Sequence, residues 1–343
     1  MSHEPSRSPT TDRGRIRVTG FDATELADRG ELFDWEPEES TTARSRRARA
    51  WKRFKRNRTA LFGLGVIALM ALSTIFARPI VIEGITVQPF SLAPFDPSAS
   101  NFNALDQAPS ATHPFGTDWS GKDIFSRVLY GGRFSLSIGF ITIGIALSVG
   151  VPLGSIAGYY GGWIDEIIMR VVDVLYAFPF LVLAIALIAV LGQGFWKLIL
   201  ALVLVVWIGY ARLIRGEILS IKENEYVTAA RALGARDRSI IFRHVVPNAL
   251  APVIVQATLG VGTIVLSAAA LGFLGLGLPP GTSEWGSMLS SGRQSLIQGQ
   301  WWITVAPGLA IFLFVLSINL VGDGVRDALD PQDTGGSAEQ GVR

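Results

Sequence analysis

The chain has 343 residues, of which 49% are hydrophobic and only 17% are charged, whereas soluble domains carry about 25% charged residues. The apolar residues are gathered in long stretches without charge, which is typical of a membrane protein and excludes an ordinary soluble enzyme. Cysteine is absent, which excludes disulfides, a thiol nucleophile and a cysteine metal site, and the formal net charge of +2 decides little.

The first 58 residues divide into an acidic and a basic segment, without the apolar run of a secretory signal peptide. Residues 1–43 hold ten Asp/Glu against five Lys/Arg, and we interpret them as a polar, disordered cytoplasmic tail. Residues 44–58 are basic at nine of fifteen positions, which fits a nucleic-acid patch. Because an apolar stretch follows at once, we favour a juxtamembrane segment that contacts anionic lipid, and we expect no nucleic-acid partner.

Six apolar stretches follow, and the distribution of charge orients them. The basic flank places the start of the first span, residues 59–77, in the cytoplasm, so residues 78–133 are predicted to be an outer loop. Residues 134–322 form a predicted core, and residues 323–343 return to the cytoplasm as a tail. The pattern predicts an all-α polytopic protein of the cell membrane with six transmembrane helices and both termini cytoplasmic. The five spans predicted within the core are residues 134–160, 171–191, 198–213, 251–276 and 303–321.

Two of these spans contain features that complicate a simple crossing. Pro179 lies within the third span and is expected to kink it. Asp173, near the start of the same span, is expected to pair with Arg170 at the inner interface. Only fourteen residues separate Lys197 from Arg212, so the fourth span is short, and a buried or re-entrant helix is the alternative there.

The loop between the fourth and fifth spans, residues 214–248, is the least membrane-like part of the core. The seven Lys/Arg in and just before it would together cost on the order of 20 kcal/mol at the centre of a bilayer. The sequence predicts a helix over 217–233, a stop at Gly234 in a left-handed conformation, and a short second helix from Asp237 that Pro247 interrupts. Small and cationic residues together are typical of a docking surface; the alternative is a solvated loop whose charges only enforce topology.

The spacing of this loop resembles the E-A-A motif of binding-protein-dependent ABC importer permeases. That pattern is E-A-A, three residues, glycine, nine residues and I-x-L-P. The matching positions here are Thr228, Ala229, Ala230, Gly234 and Pro247. In that family this loop is the coupling helix, which sits in a cleft of a cytoplasmic ATPase subunit.

The resemblance implies a docking site, with three departures from the family pattern. Thr228 replaces the acid, His244 stands at the isoleucine position, and Val246 stands at the leucine position. The change to Thr228 removes one charged contact but leaves the spacing intact. The residues that we expect to contact the ATPase are Glu225, Thr228, Ala229, Ala230, Arg231, Gly234, Arg236, Arg238, His244 and Pro247.

The resemblance covers roughly residues 50–331 and extends to the permeases of dipeptide and oligopeptide importers. It is carried by WKRFKRNRTALFGL, HPFGTDWSGKDIFSRVLYGGRFSL, LGFLGLGLPPGTSEWGSML and NLVGDGVRDALDP. It implies a type I ABC importer permease fold and a subunit that forms half of a peptide translocation pathway. The implied partners are a second related permease subunit, two cytoplasmic ATPase subunits that hold ATP and magnesium, and an extracytoplasmic substrate-binding protein.

Other functions stay open from the sequence alone. A nickel, oligosaccharide or glutathione-like cargo would fit the same architecture. An ion-coupled secondary transporter is the alternative of another class, although the spans carry few of the ionisable groups that such transporters use. The chain has no G-x-x-x-x-G-K-[ST] motif, so we expect no ATP site, no cofactor, no catalytic residue and no metal site in it.

Overall fold

The computed structural model describes residues 43–82 and 85–329. Of the predicted tails over 1–43 and 323–343, residues 1–42 and 330–343 lie outside this range, whereas residues 323–329 belong to the last helix and not to a tail. The described residues are mostly helical, with one small antiparallel hairpin of strands β1 (Ile80–Ile82) and β2 (Ile85–Gln88). A π-helical turn, Ile241–Val245, joins two of the helices. In chain order the described helices are α1 (Ala43–Phe54), α2 (Arg58–Ile75), α3 (Ile124–Tyr160), α4 (Gly162–Tyr176), α5 (Phe180–Leu191), α6 (Phe195–Ile221), α7 (Glu225–Ala232), α8 (Asp237–Ile240), α9 (Val246–Phe273), α10 (Trp285–Ile297) and α11 (Trp302–Leu329).

Five helical elements are long and apolar enough to cross a membrane: α2, α3, α6, α11 and the continuous element Asp237–Phe273, which contains α8 and α9. The pair α4 and α5 also passes this test together, with a bend of 88° between its halves. The predicted all-α architecture with six spans is therefore confirmed when this pair is counted as one broken span.

The third span is broken rather than kinked. It was predicted as one helix over 171–191, whereas α4 already begins at Gly162 and ends at Tyr176. Pro179 is the N-cap residue of α5, and residues 177–179 form the break. Proline lacks the N–H that would continue the hydrogen-bond ladder and disfavours helical backbone at the residue before it, which explains why the chain turns here.

The fourth span is a full helix, so the prediction of a short span over 198–213 is wrong. Helix α6 has 27 residues, which corresponds to about 40 Å. It continues past its two arginines because each one pairs with a carboxylate of α4. Arg215 donates to both carboxylate oxygens of Asp165 at 2.5 and 2.6 Å, and Arg212 pairs with Asp173. Pairing and hydrogen bonding lower the cost of placing a charge at the membrane edge.

The expected pair of Arg170 with Asp173 is also wrong. Arg170 lies instead 3.6 Å from Glu166, one turn earlier on α4. Asp173 faces α6, since its partner Arg212 comes from 39 residues further along the chain. A local charge pattern therefore did not predict a contact that depends on how two helices pack.

Helices α3 and α6 pack with their backbones in contact along a stripe of glycines. A Cβ added to Gly150, Gly154 or Gly158 would lie 2.6, 2.2 or 3.0 Å from a backbone carbonyl oxygen of α6. These positions are four residues apart and therefore share one face of α3. The close packing that the G-x-x-x-G pattern permits thus occurs here within one chain.

The segment before α3 is folded onto the helix ends rather than forming an open loop. Asp123 caps α3 by accepting a hydrogen bond from the Ser126 N–H at 2.7 Å, so the helix begins ten residues before the predicted start at 134. The second carboxylate oxygen of Asp123 lies 2.8 Å from Nδ1 of His113. Trp302 of α11 donates from Nε1 to the Thr117 carbonyl at 3.2 Å. We call this end of the bundle the capped end and the other the basic end.

Candidate functional site

All ten predicted docking residues lie on one segment at the basic end, residues 222–247, which we call the coupling segment. It begins where α6 ends, contains α7 and α8, and leads into α9. It carries five Lys/Arg against three Asp/Glu, so its net charge is positive. A positive surface of this kind complements an acidic partner.

The turn at the tip of the segment has the geometry that the sequence predicts. Helix α7 ends at Ala232, and Gly234 follows with φ of +79°. The Gly234 N–H donates to the Arg231 carbonyl at 3.0 Å, and the Ala235 N–H donates to the Ala230 carbonyl at 3.1 Å. This pair of bonds is a Schellman motif, which requires a left-handed residue at the glycine position.

Charges at the ends of α7 stabilise this short helix. Glu225 lies in its first turn and Arg231 in its last turn. Both signs oppose the partial charges of the helix ends, and each interaction contributes about 0.3–1 kcal/mol at an exposed site. The two charged residues therefore hold the helix in shape without burying either charge.

Three apolar side chains attach the coupling segment to the bundle. Val227 of α7, Ile240 of α8 and Val245 of the π turn are all completely buried. Burial of one such side chain contributes about 1.5–3 kcal/mol. The segment is therefore held at both ends of its turn, while the turn itself projects outward.

The tip carries an apolar side chain that the sequence analysis did not single out. Leu233 is 89% exposed, next to Gly234. At 100° per residue, Leu233 lies about 120° around the helix axis from the buried Val227. This angle is the feature of the sequence that could have indicated that Leu233 is exposed. Phe242, which is 72% exposed, adds a second large apolar side chain on the segment. Each of these exposed apolar side chains is a candidate contact for a partner protein.

The predicted docking residues divide into an exposed and a recessed group. Ala230 packs partly against the hydrophobic core, and His244 is also half-buried. Ala230 is therefore the least accessible of the small residues in the motif. The exposed members are Glu225, Thr228, Ala229, Arg231, Gly234, Arg236, Arg238 and Pro247.

Pro247 does not interrupt the helix that leads into the membrane, so that prediction is wrong. The π turn precedes it, with the Val246 N–H donating to the Ile241 carbonyl, and Pro247 occupies the first turn of α9. Proline is tolerated in a first turn because its missing N–H needs no partner there. In the same turn, the side chain of Asn248 donates to the His244 carbonyl at 2.6 Å.

Comparison with protein families assigns most of the chain. Residues 150–332 match the binding-protein-dependent transport system inner membrane component, and residues 45–109 match the N-terminal TM domain of oligopeptide transport permease C. Dipeptide transport system permease protein DppC of Alkalihalophilus pseudofirmus is 47% identical over 296 residues, which cover 86% of this chain and 93% of that protein. Glutathione transport system permease protein GsiD of Escherichia coli is 41% identical over 286 residues, which cover 83% and 90%.

A solved structure shares the fold. The MetNI methionine ABC transporter in an inward-facing conformation aligns with a TM-score of 0.51 and 21% identity, over 60% of this chain and 98% of that one. This similarity supports the type I importer architecture and, at this identity, nothing about cargo.

The family model covers more than half of the chain, and a relative shares nearly half of its residues over most of both lengths. The family consists of transport permeases and not of enzymes, and its members are inner-membrane components. The chain therefore belongs to the binding-protein-dependent transport system inner membrane component family, as a multi-pass, peptide-type permease of an ABC importer.

Proposed function

We propose that this chain forms half of the translocation pathway of an importer for di- or oligopeptides, and that separate cytoplasmic subunits hydrolyse ATP to drive it. The names of the relatives support the cargo, because one is a dipeptide permease and another transports glutathione, itself a tripeptide. The observation that carries the ATPase part is the exposed tip at Leu233 and Gly234, on a segment anchored by buried side chains.

The proposed complex contains a second related permease subunit, two ATPase subunits with ATP and magnesium, and an extracytoplasmic substrate-binding protein. ATP closes the ATPase pair, and this closure moves the coupling segment and switches the spans between inward- and outward-facing states. The energetic requirement is that ATP favours one of the two states. The termini are cytoplasmic in this arrangement, since the basic residues 44–58 favour that side.

The proposed contact consists of one apolar side chain surrounded by charged side chains. Leu233 enters an apolar cleft of the ATPase, where its burial stabilises the contact by about 1.5–3 kcal/mol. The exposed arginines of the coupling segment, among them Arg231, Arg236 and Arg238, contact an acidic rim. Ala229 allows the two backbones to approach closely because its side chain is small and exposed.

The test of docking is co-purification with the cognate ATPase and stimulation of its hydrolysis by the loaded binding protein. We expect Leu233→Ala to weaken ATPase binding about ten- to hundredfold, from the burial energy of one leucine. Leu105→Ala is the matched control, since Leu105 is also an exposed leucine but lies in the segment before α3. Equal binding by the Leu233 variant and the wild type would contradict the proposed contact.

Cross-linking tests the same contact without removing a side chain that the proposed contact requires. The chain has no cysteine, so each introduced thiol is unique. Ala229→Cys should cross-link to a cysteine in the ATPase cleft, whereas Ala230→Cys should do so much less because Ala230 is half-buried. Equal yields at the two positions would mean that the partner does not approach from the exposed face.

The cargo is tested with the binding protein that serves this permease. Calorimetry with a dipeptide, a longer peptide, glutathione, nickel and an oligosaccharide should show heat only with the peptide ligands. Transport into proteoliposomes should follow the same order. Binding of nickel or the oligosaccharide alone would exclude the proposed cargo but not the docking role of the coupling segment.

A further inference from the structure

We propose that Tyr159 is a positioning residue that ties the coupling segment to α3, so that movement of the segment passes directly into a membrane span. This inference rests on the proposed function of that segment. Tyr159 is the penultimate residue of α3 and is only 8% exposed. It belongs neither to the predicted docking surface nor to the family motif.

The Tyr159 hydroxyl is hydrogen-bonded to the arm of the coupling turn that follows Gly234. It donates a hydrogen bond to Oδ1 of Asp237, the first residue of α8, at 2.7 Å. Arg231, in the last turn of α7, also lies within interaction range of this hydroxyl. One side chain of α3 therefore bonds to Asp237 after Gly234 and lies near Arg231 before it.

A second contact attaches the start of the coupling segment to the same turn of α3. Lys222 donates from Nζ to the Gly158 carbonyl at 3.1 Å. Gly158 in turn packs against α6, where an added Cβ would lie 3.0 Å from the Arg215 carbonyl. The first residue of the segment, Lys222, is thus bonded to Gly158, and Asp237, which follows the turn, is bonded to Tyr159.

Directional bonds are needed here because the apolar anchors alone do not fix an orientation. Burial of Val227 and Ile240 holds the segment against the bundle, but the hydrophobic effect is non-directional. A hydrogen bond weakens steeply when its angle changes, so it resists rotation of the segment. With both kinds of contact, a push on the tip moves α3 instead of rolling the segment over the helix ends.

Helix α3 is suited to receive this movement. It has 37 residues, which is about 55 Å and long enough to connect the basic end to the capped end. Its glycine stripe packs directly on the backbone of α6 at Gly150 and Gly154. Since the backbones are in contact, the two helices move together, and the tie at Tyr159 acts on both.

The decisive measurement is the number of ATP molecules hydrolysed per solute imported by the complete complex in proteoliposomes. Tyr159→Phe removes only the hydroxyl, and we expect the ATP consumed per solute to rise about tenfold, because the lost bond is to a charged group. Tyr160→Phe is the matched control, since Tyr160 is the neighbouring tyrosine and is 49% exposed. It should leave the ratio unchanged.

Substitution of the hydrogen-bond acceptor, Asp237, distinguishes the proposed role of Tyr159 from a purely structural one. Asp237→Ala should raise the ratio as Tyr159→Phe does, whereas Asp237→Asn keeps an oxygen that accepts the bond, without the charge, and should raise the ratio less than Asp237→Ala. The double variant Tyr159→Phe with Asp237→Ala should be no worse than either single variant. Size-exclusion profiles and hydrogen exchange of the full chain identify any variant that has simply lost its fold.

The outcomes separate the tie from the proposed function. If the wild-type complex responds to the loaded binding protein and Tyr159→Phe transports at the wild-type ratio, the tie does not transmit movement and the inference is overturned. Additive effects in the double variant overturn it equally. If hydrolysis by the wild-type complex does not respond at all, the proposed function itself fails and the inference fails with it.

Discussion

Replacement of Gly234 tests whether the shape of the coupling turn, rather than its charge, is what the partner requires. Gly234 has φ of +79°, and a Cβ added to it would meet nothing within 4 Å. A new side chain would therefore be strained, but its Cβ would clash with none of the described residues. The effect of each substitution can then be calculated from backbone conformation alone.

The expected magnitudes follow from the left-handed conformation. An ordinary side chain there costs about 1–2 kcal/mol, whereas asparagine tolerates the conformation better. A β-branched residue is a genuine outlier at positive φ. One or two kcal/mol corresponds to about a five- to thirtyfold change in the fraction of molecules with a formed turn. We expect transport to decrease in the order Gly, Asn, Ala, Val at position 234.

The assay is solute transport by the reconstituted complex, with hydrolysis measured in parallel. Gly299 is a matched control at the capped end. It has φ of +85°, no neighbour of an added Cβ within 4 Å, and the same pair of C-terminal bonds, here to Ser295 and Leu296. Gly299→Val should cost as much conformational energy as Gly234→Val and should leave coupling intact.

Three results would refute this reasoning. Transport at the wild-type level by Gly234→Val would show that the partner does not require the turn. An order that follows side-chain size, with Ala better than Asn, would show that the partner excludes volume at position 234 and that backbone strain is secondary. Equal losses at 234 and 299 would assign the effect to general instability.

Three further predictions concern the bundle. Gly154→Leu should lower the thermal stability in detergent, because its Cβ would lie 2.2 Å from a backbone oxygen of α6. Gly144→Leu on the same helix should be neutral, because a Cβ there has none of the described residues within 4 Å. Arg215→Met should destabilise by about 1–3 kcal/mol in chemical denaturation by leaving a carboxylate unpaired, and adding Asp165→Asn should recover part of the loss. Pro179→Ala should allow a straighter α4–α5, measured by pulsed EPR as a longer distance between spin labels at the far ends of the two helices.

Local sequence determines those features of the fold that depend on local energies. Long charge-free stretches predict spans because every charge in hydrocarbon is costly. The stop at Gly234 is predictable because the left-handed conformation is a property of one residue, and the structure has φ of +79° there. The N-cap role of Asp123 is equally local, but the prediction places residue 123 in the outer loop over 78–133 and therefore starts the helix too late.

Features that depend on distant partners were mispredicted. The prediction ends the fourth span near Arg212, although the partner of Arg212, Asp173, lies 39 residues away in the chain. The sequence predicts a helix break at Pro247, because nothing in the sequence indicates the π turn that precedes this proline. Exposure of Leu233 likewise depends on which face of α7 the bundle covers. Each of these predictions considers only neighbours in the sequence, whereas the environment of the residue depends on contacts with distant parts of the chain.

The two ends of the bundle differ in how firmly charged side chains are held, and this difference bears on which end moves. Among the described residues, the buried Asp, Glu, His and Arg side chains all lie at the capped end. Asp118 pairs with Arg127, and Glu284 accepts hydrogen bonds from two backbone N–H groups of α10 at 2.8 Å and from Ser135 of α3 at 3.2 Å. Removing one partner of such a buried pair costs about 3–5 kcal/mol, so rearrangement there is expensive.

The ion pairs at the basic end are more exposed. The side chains of Arg212 and Asp173 are 37% and 61% exposed, and pairs in that range contribute about 0–1 kcal/mol. The same displacement therefore costs less at the basic end than at the capped end. In the proposed mechanism, energy delivered through the coupling segment enters at the end where charged contacts cost least to rearrange, and α3 and α6 tilt against the capped end.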